Sequence, residues 1–171
     1  MRGENNNNIL DFDRLRIGSG FDVHPFADGR DLWLGGIHIP DSRGLAGHSD
    51  ADVLTHAVID AILGAASMGD IGTLFPDTDE EYKDISSIYL LERVWGKCLF
   101  KGIKLINIDI TVACESPKIM PHSANMKKAI SSALGHVDIG RISIKATTTE
   151  KLGAIGREEG IAAHAVVLLY R

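Results

Sequence analysis

The segment Arg16-Ile-Gly-Ser-Gly-Phe-Asp-Val-His24 restricts the fold more than any other stretch of this chain. It reads as a strand, with glycines at 18 and 20 that allow another backbone to come close. Residues two apart on a strand project to the same side, so Asp22 and His24 can reach one metal ion. Taken alone, the pair fits a turn-capping Asp beside a strand-end His equally well.

A second block, His48-Ser-Asp-Ala-Asp-Val-Leu-Thr-His56, opens a helix. Ser49 and Asp52 have the spacing of a capping box. Val53, Leu54, Ala57, Val58, Ala61, Ile62 and Ala65 then recur with helical period and form an apolar face. Asp52, His56 and Asp60 border that face at i, i+4 and i+8. A histidine on such a helix is more often a satisfied core residue than a ligand. Asp60 shifts the balance, because a carboxylate one turn on can accept the other ring N–H, as it does for many metal-bound histidines. Asp22, His24 and His56 together would give zinc three protein ligands and an open position, the pattern of catalytic rather than structural sites.

The remaining elements suit one α+β domain over 16–171, behind a disordered extension over 1–15. Leu32-Trp-Leu-Gly-Gly-Ile-His-Ile39 predicts a small hairpin turning at Gly35-Gly36. Helices are expected over 85–101 and from Pro121 to about Gly135, and strands over 105–114, 142–147 and 162–170. The expected architecture is a mixed four-stranded sheet with helices layered on one face. At 171 residues the chain can bury a core without disulfides. Its two cysteines do not make a disulfide framework, and a reducing cytoplasm is expected. No apolar run reaches the roughly 20 residues that span a bilayer. The net charge of −5, without a basic stripe, disfavours nucleic acid. It would also repel a phosphate ester, so local cations, a metal among them, would have to attract one.

Three further stretches offer chemistry. His48 and Ser49 sit at a helix N-terminus, which favours an anion. The segment Gly69–Asp79 has no regular period, yet Leu74 and Phe75 are apolar for a loop. Lys145-Ala-Thr-Thr-Thr-Glu150 ends a strand in hydroxyls and one carboxylate, suited to Mg²⁺ shared with phosphates, though threonines also suit an edge strand. Ser116-Pro-Lys-Ile-Met-Pro121 is either a rigid turn or a ligand loop.

Through these ordered blocks the chain, from Arg16 to Arg171, resembles the 2-C-methyl-D-erythritol 2,4-cyclodiphosphate synthase family of the non-mevalonate isoprenoid pathway. The resemblance implies a homotrimer with active sites between subunits. Asp22, His24 and His56 match zinc ligands, one ion per subunit, and Asp22 and His24 also adjoin the substrate. Glu150 matches the acid holding Mg²⁺ or Mn²⁺ on the substrate diphosphate. His48 and Thr148 match residues that orient or stabilise the reacting phosphates, with Ser49 beside them. Asp70 and Gly72, with Ile71 between, match contacts to the cytidine ribose, and Phe75, Pro76, Asp77, Thr78 and Asp79 lie near the erythritol.

From the adjacent subunit, Cys114, Glu115, Ser116, Pro117, Lys118, Ile119, Met120, Thr147, Thr148 and Thr149 match the cytosine pocket. The implied reaction cyclises 4-diphosphocytidyl-2-C-methyl-D-erythritol 2-phosphate and releases CMP, a phosphorus–oxygen lyase activity, without a fused cytidylyltransferase. Arg157 and the position of Phe21 match a cavity on the trimer axis that holds an isoprenoid diphosphate in the family. Ala154 stands there where many relatives carry an aromatic, which reduces the apolar wall. The competing readings are a zinc-dependent phosphoesterase, which would yield a linear ester, and a zinc-stabilised binding module, which would unfold on chelation.

Overall fold

The computed structural model describes residues 11–40, 43–76, 78–82 and 85–171. A long first strand, β1 (Leu15–Asp28), sets the geometry. Its even positions Gly18 and Gly20 are buried, while Ile17, Phe21 and Val23 on the other side are exposed. Residues 1–10 of the expected extension lie outside the described residues. Phe12–Arg14 form a 3-10 turn, and Leu15 already pairs with Tyr170.

Strand β1 pairs antiparallel with β7 (Gly160–Tyr170), which pairs antiparallel with β5 (Lys104–Ala113). Strand β6 (Ile142–Thr147) runs parallel to β5. A parallel pair needs a crossover, here built around α4 (Ser123–Ala133). The sheet is mixed, as expected, but it has five strands in the order β4-β1-β7-β5-β6, not four. The fifth, β4 (Arg43–Leu45), is three residues long and pairs with the far end of β1 at Phe26–Asp28. Three residues carry no readable period. The strand exists because β1 runs past His24 and offers an edge. The hairpin of β2 (Leu32–Leu34) and β3 (Ile37–Ile39) turns at Gly35-Gly36 as expected. Both glycines have positive φ, +59° and +75°, which glycine adopts without strain.

Helix α1 (Val53–Ala66) lies directly on β1 and β7. The two glycines make this possible. A Cβ on Gly18 would stand 1.9 Å from the Ala61 carbonyl oxygen, and one on Gly20 2.1 Å from that of Ala57. The helix is capped by Asp52 and not by the expected Ser49. The fully buried Asp52 carboxylate accepts from Thr55 N (2.9 Å) and Thr55 Oγ1 (2.7 Å). It also accepts from Gly35 N (2.9 Å) and Gly36 N (2.7 Å), so one side chain caps the helix and holds the hairpin turn. A serine oxygen could not serve four donors.

The segment after Gly69 is not wholly irregular: α2 (Ile71–Leu74) is a single turn capped by Asp70. Helix α3 (Ser87–Phe100) starts two residues later than expected and buries Leu90, Leu91, Val94, Trp95 and Cys98, leaving Ile88 at the margin. A last short turn, α5 (Gly153–Gly156), precedes β7. Among the described residues, no helix is long and apolar enough to cross a membrane.

Candidate metal centre and adjoining clefts

Strand alternation points Asp22 and His24 to the helix-covered side, and α1 presents His56 to them from above. The three side chains are the one cluster of possible metal ligands among the described residues. His24 Nε2 lies 2.9 Å from Asp22 Oδ2. His56 Nδ1 lies 3.0 Å from the same oxygen and 3.1 Å from His24 Nε2. Two imidazole nitrogens and one carboxylate oxygen form a donor set suited to a divalent metal ion held by three protein ligands. Ligand atoms about 2.0–2.1 Å from one tetrahedral ion stand roughly 3.3 Å apart, so the triad needs little movement to hold one.

The tautomer of His24 suits that role. Its Nδ1 is 2.7 Å from the Ala46 carbonyl, which can only accept, so Nδ1 carries the proton and Nε2 its lone pair. Burial alone would raise the Asp22 pKa, but hydrogen bonds and charge from His24 and His56 hold it well below the carboxylate range. Burial opposes the charged form of His24, yet the adjacent Asp22 raises its pKa above the ordinary histidine value.

Asp60 does not hold His56. Its Oδ1 accepts from Ile71 N at 2.8 Å and so anchors the start of α2. The far nitrogen of His56, Nε2, meets Ser87 Oγ at 2.8 Å and Ser49 Oγ at 3.2 Å. Spacing along α1 favoured Asp60 because i and i+4 share a face, but the ring points away from it toward α3. Ser87, with Asp50 behind it, carries no sequence signal, since its partner lies 31 positions away.

His24 and His56 border a cleft of about 450 Å³ that is also lined by His48, Ser49, Ile71, Gly72, Phe75, Tyr82 and Leu90. The apolar side chain of Phe75 packs edge-on against Tyr82, with ring centres 5.2 Å apart. This accounts for an apolar residue in that segment, and neither Tyr82 nor Leu90 stood out in the sequence. His48 Nε2 reaches the Asp79 carbonyl at 3.4 Å. Asp70 is exposed and caps α2 through Thr73 N. Pro76, Thr78 and Asp79 are exposed along the rim, and Asp77 lies outside the described residues.

A separate cleft of about 370 Å³ is lined by Cys114, Pro117, Lys118, Ile119, Met120, Pro121, Ala146, Thr147 and Thr148. It forms where the parallel strands β5 and β6 end together at Ala113 and Thr147. Glu115 and Ser116 do not line it. The Ser116 carbonyl accepts from Cys114 Sγ at 2.9 Å. The Glu115 carboxylate turns toward the next loop and accepts from Thr149 N (3.0 Å) and Lys151 N (3.2 Å). Those bonds hold Glu150 and Lys151 with positive φ of +53° and +64°, an unusual state for residues other than glycine. Burial would raise the Glu115 pKa, but these N–H groups and the Lys151 ammonium hold it below its ordinary value. Glu150 itself is exposed, and one of its oxygens accepts from Thr148 Oγ1 at 2.9 Å. Arg157 lines neither cleft and pairs with Glu159 at 2.6 Å.

A sequence model of the YgbB family matches residues 15–170. The chain is 56% identical over 155 residues to the 2-C-methyl-D-erythritol 2,4-cyclodiphosphate synthase of Pelodictyon phaeoclathratiforme, covering 91% of this chain and 98% of that protein. Among solved structures it is similar to the bifunctional IspDF from Campylobacter jejuni, with 49% identity and a TM-score of 0.87. That likeness covers 91% of this chain but 42% of the bifunctional protein. It is also similar to Plasmodium falciparum IspF in complex with CDP, with 36% identity, a TM-score of 0.80, and 93% and 97% of the two chains covered.

Proposed function

This chain belongs to the YgbB family, and on that footing we propose that it cyclises 4-diphosphocytidyl-2-C-methyl-D-erythritol 2-phosphate to 2-C-methyl-D-erythritol 2,4-cyclodiphosphate. A 2-phosphate oxygen attacks the β-phosphorus, the bond between that phosphorus and the α-phosphate bridging oxygen breaks, and CMP leaves with the electron pair. No water is consumed. The observation that carries this reading is the convergence of Asp22, His24 and His56 at the edge of the larger cleft. The names of its relatives, and the CDP held by one of them, support the substrate class.

Two metal sites fit the residues present. Asp22, His24 and His56 would hold zinc, and Glu150 would hold Mg²⁺ or Mn²⁺, because a lone carboxylate with substrate phosphates suits a hard cation. Bound there, the two ions supply positive charge to the β-phosphate and to the departing CMP. The nucleophile is already an anion, so the protein needs no strong base, only in-line positioning and charge complementarity. His48 and Ser49, at the cleft wall, orient the phosphates, and Thr148 stands beside Glu150 for the same purpose. Asp70, Ile71 and Gly72 face the ribose, and Phe75, Pro76, Thr78 and Asp79 lie near the erythritol. The Cys114–Met120 segment and Thr147–Thr149 receive the cytosine.

Asp22 and His24 stand on β1 and the second cleft forms at the ends of β5 and β6, on the other side of the central strand β7. A homotrimer would bring the metal cleft of one subunit against the base-binding cleft of the next. The open sheet face is compatible with such assembly: Ile17, Phe21 and Val23 are 74%, 64% and 52% exposed on one side of β1. Phosphorus NMR of the cytidine substrate with the protein, zinc and Mg²⁺ tests the reaction. Matched appearance of CMP and a cyclic diphosphate is expected. Linear hydrolysed phosphates instead would refute cyclisation and indicate a phosphoesterase.

A further inference from the structure

We infer that Ser87 and Asp50 are positioning residues of the metal centre, which together determine the nitrogen that His56 offers to the ion. The inference rests on the reading of Asp22, His24 and His56 as metal ligands. It follows from which groups can donate. The Asp50 carboxylate accepts from Ser87 N at 3.0 Å and Asp52 N at 3.3 Å, and also takes the Ser87 hydroxyl proton in a short contact. A carboxylate has no proton to return. The Ser87 oxygen is therefore left with lone pairs toward His56 Nε2, 2.8 Å away. Nε2 must then carry the ring proton, and Nδ1 keeps its lone pair facing Asp22 and His24.

Ser49 Oγ, 3.2 Å from the same Nε2 and 3.3 Å from Ser87 Oγ, stands as a second and longer acceptor. Ser87 is fully buried, so bulk water cannot take its place if the hydroxyl is removed. The arrangement also links the ligand to an element of the fold. Ser87 opens α3, whose first amides have no partner within the helix, and Asp50 satisfies one of them. The start of α3 and the ring of His56 are thus held by one carboxylate on the segment leading into α1. His24 is set independently by the Ala46 carbonyl, so the two histidines have separate supports.

Zinc affinity, measured by competition with a chromophoric chelator, tests the assignment apart from turnover. Ser87→Ala should bind zinc about 10- to 100-fold more weakly, as expected for loss of an outer partner of a metal-bound histidine, with an unchanged far-UV circular dichroism spectrum. A second measurement needs no variant. Nitrogen-15 histidine spectra of the zinc-loaded wild-type protein should show His56 protonated at Nε2, with slow exchange of that proton, and metal-bound at Nδ1. Equal zinc affinity in Ser87→Ala, or a His56 ring bound through Nε2, would overturn the inference. A wild-type protein that takes up no zinc would overturn the metal reading beneath it, an outcome distinct from either.

Discussion

Glu115 shows how one side chain can govern a site without lining it. Its carboxylate receives two backbone N–H groups of the Thr149–Lys151 turn, and that turn presents Thr148 and Glu150. Glu115→Ala should therefore lower kcat for CMP release on the order of 10- to 100-fold through misplacement of Glu150, while thermal melting changes little. Steady-state assays beside a melting curve would check both. The pH dependence has a definite sign. The folded pKa of Glu115 is held below its ordinary value of 4.5, so its support is complete above that value and is lost as pH falls through the depressed folded value. Amide exchange at Thr149 and Lys151 should accelerate only in that acid range, and acceleration near neutrality would contradict the assignment. Cys98 is a contrasting case. Burial pushes its thiol up to about 11 despite the nearby Lys101, so a thiol reagent at mildly alkaline pH should label it only after unfolding, as mass mapping would reveal.

At the scale of elements, the contact of α1 with β1 is the joint that brings His56 over Asp22 and His24. Gly20→Ala would place a methyl 2.1 Å from a helix carbonyl, and backbone cannot yield as a side chain can. A loss of about 1–3 kcal/mol or more is expected, with weaker zinc binding because the helix is pushed off the strand. Gly64, in the same helix, has nothing within 4 Å of an added Cβ. Gly64→Ala should stabilise by up to about 1 kcal/mol through higher helix propensity. Denaturant titration of both variants checks the opposite signs. The glycines at 18 and 20 were legible as sites of close approach, whereas the cap of α1 was not. Ser49 and Asp52 both have capping chemistry, and only the hairpin turn at Gly35-Gly36, brought alongside by the fold, shows why Asp52 takes that position.

For the whole molecule, the open sheet face and the core make separate predictions. Phe21→Asp adds charge to the exposed apolar patch and leaves the core residues untouched, so it should yield folded monomers in light scattering after gel filtration, with turnover lost if sites form between subunits. Chelation should act the other way. Asp22, His24 and His56 are only partly buried, and α1 is held to β1 and β7 by extensive packing apart from them, so stripping the metal should abolish turnover while the circular dichroism spectrum and the assembly persist. Unfolding on chelation would favour a structural metal instead.

Sequence alone determined the strand-helix order, the pairing of Asp22 with His24, and the candidate ligand His56, because periodicity and i, i+2 geometry are local properties of the backbone. Through the family resemblance it also indicated His48, Ser49, Ile71, Gly72 and Phe75 of the larger cleft and most of the lining of the second, but not Tyr82 or Leu90. Tertiary structure decided what local spacing cannot encode. It added the short strand β4, which exists only because β1 overruns its partner. It gave Asp60 to the α2 turn and Ser87 to His56, since hydrogen-bond partners depend on which way a ring points once two helices meet. It turned Glu115 from the cleft at the ends of β5 and β6 toward the turn bearing Glu150. A metal centre can be anticipated from the residues that face the ion, whereas the groups that hold those residues in place are chosen by packing between segments far apart in the chain.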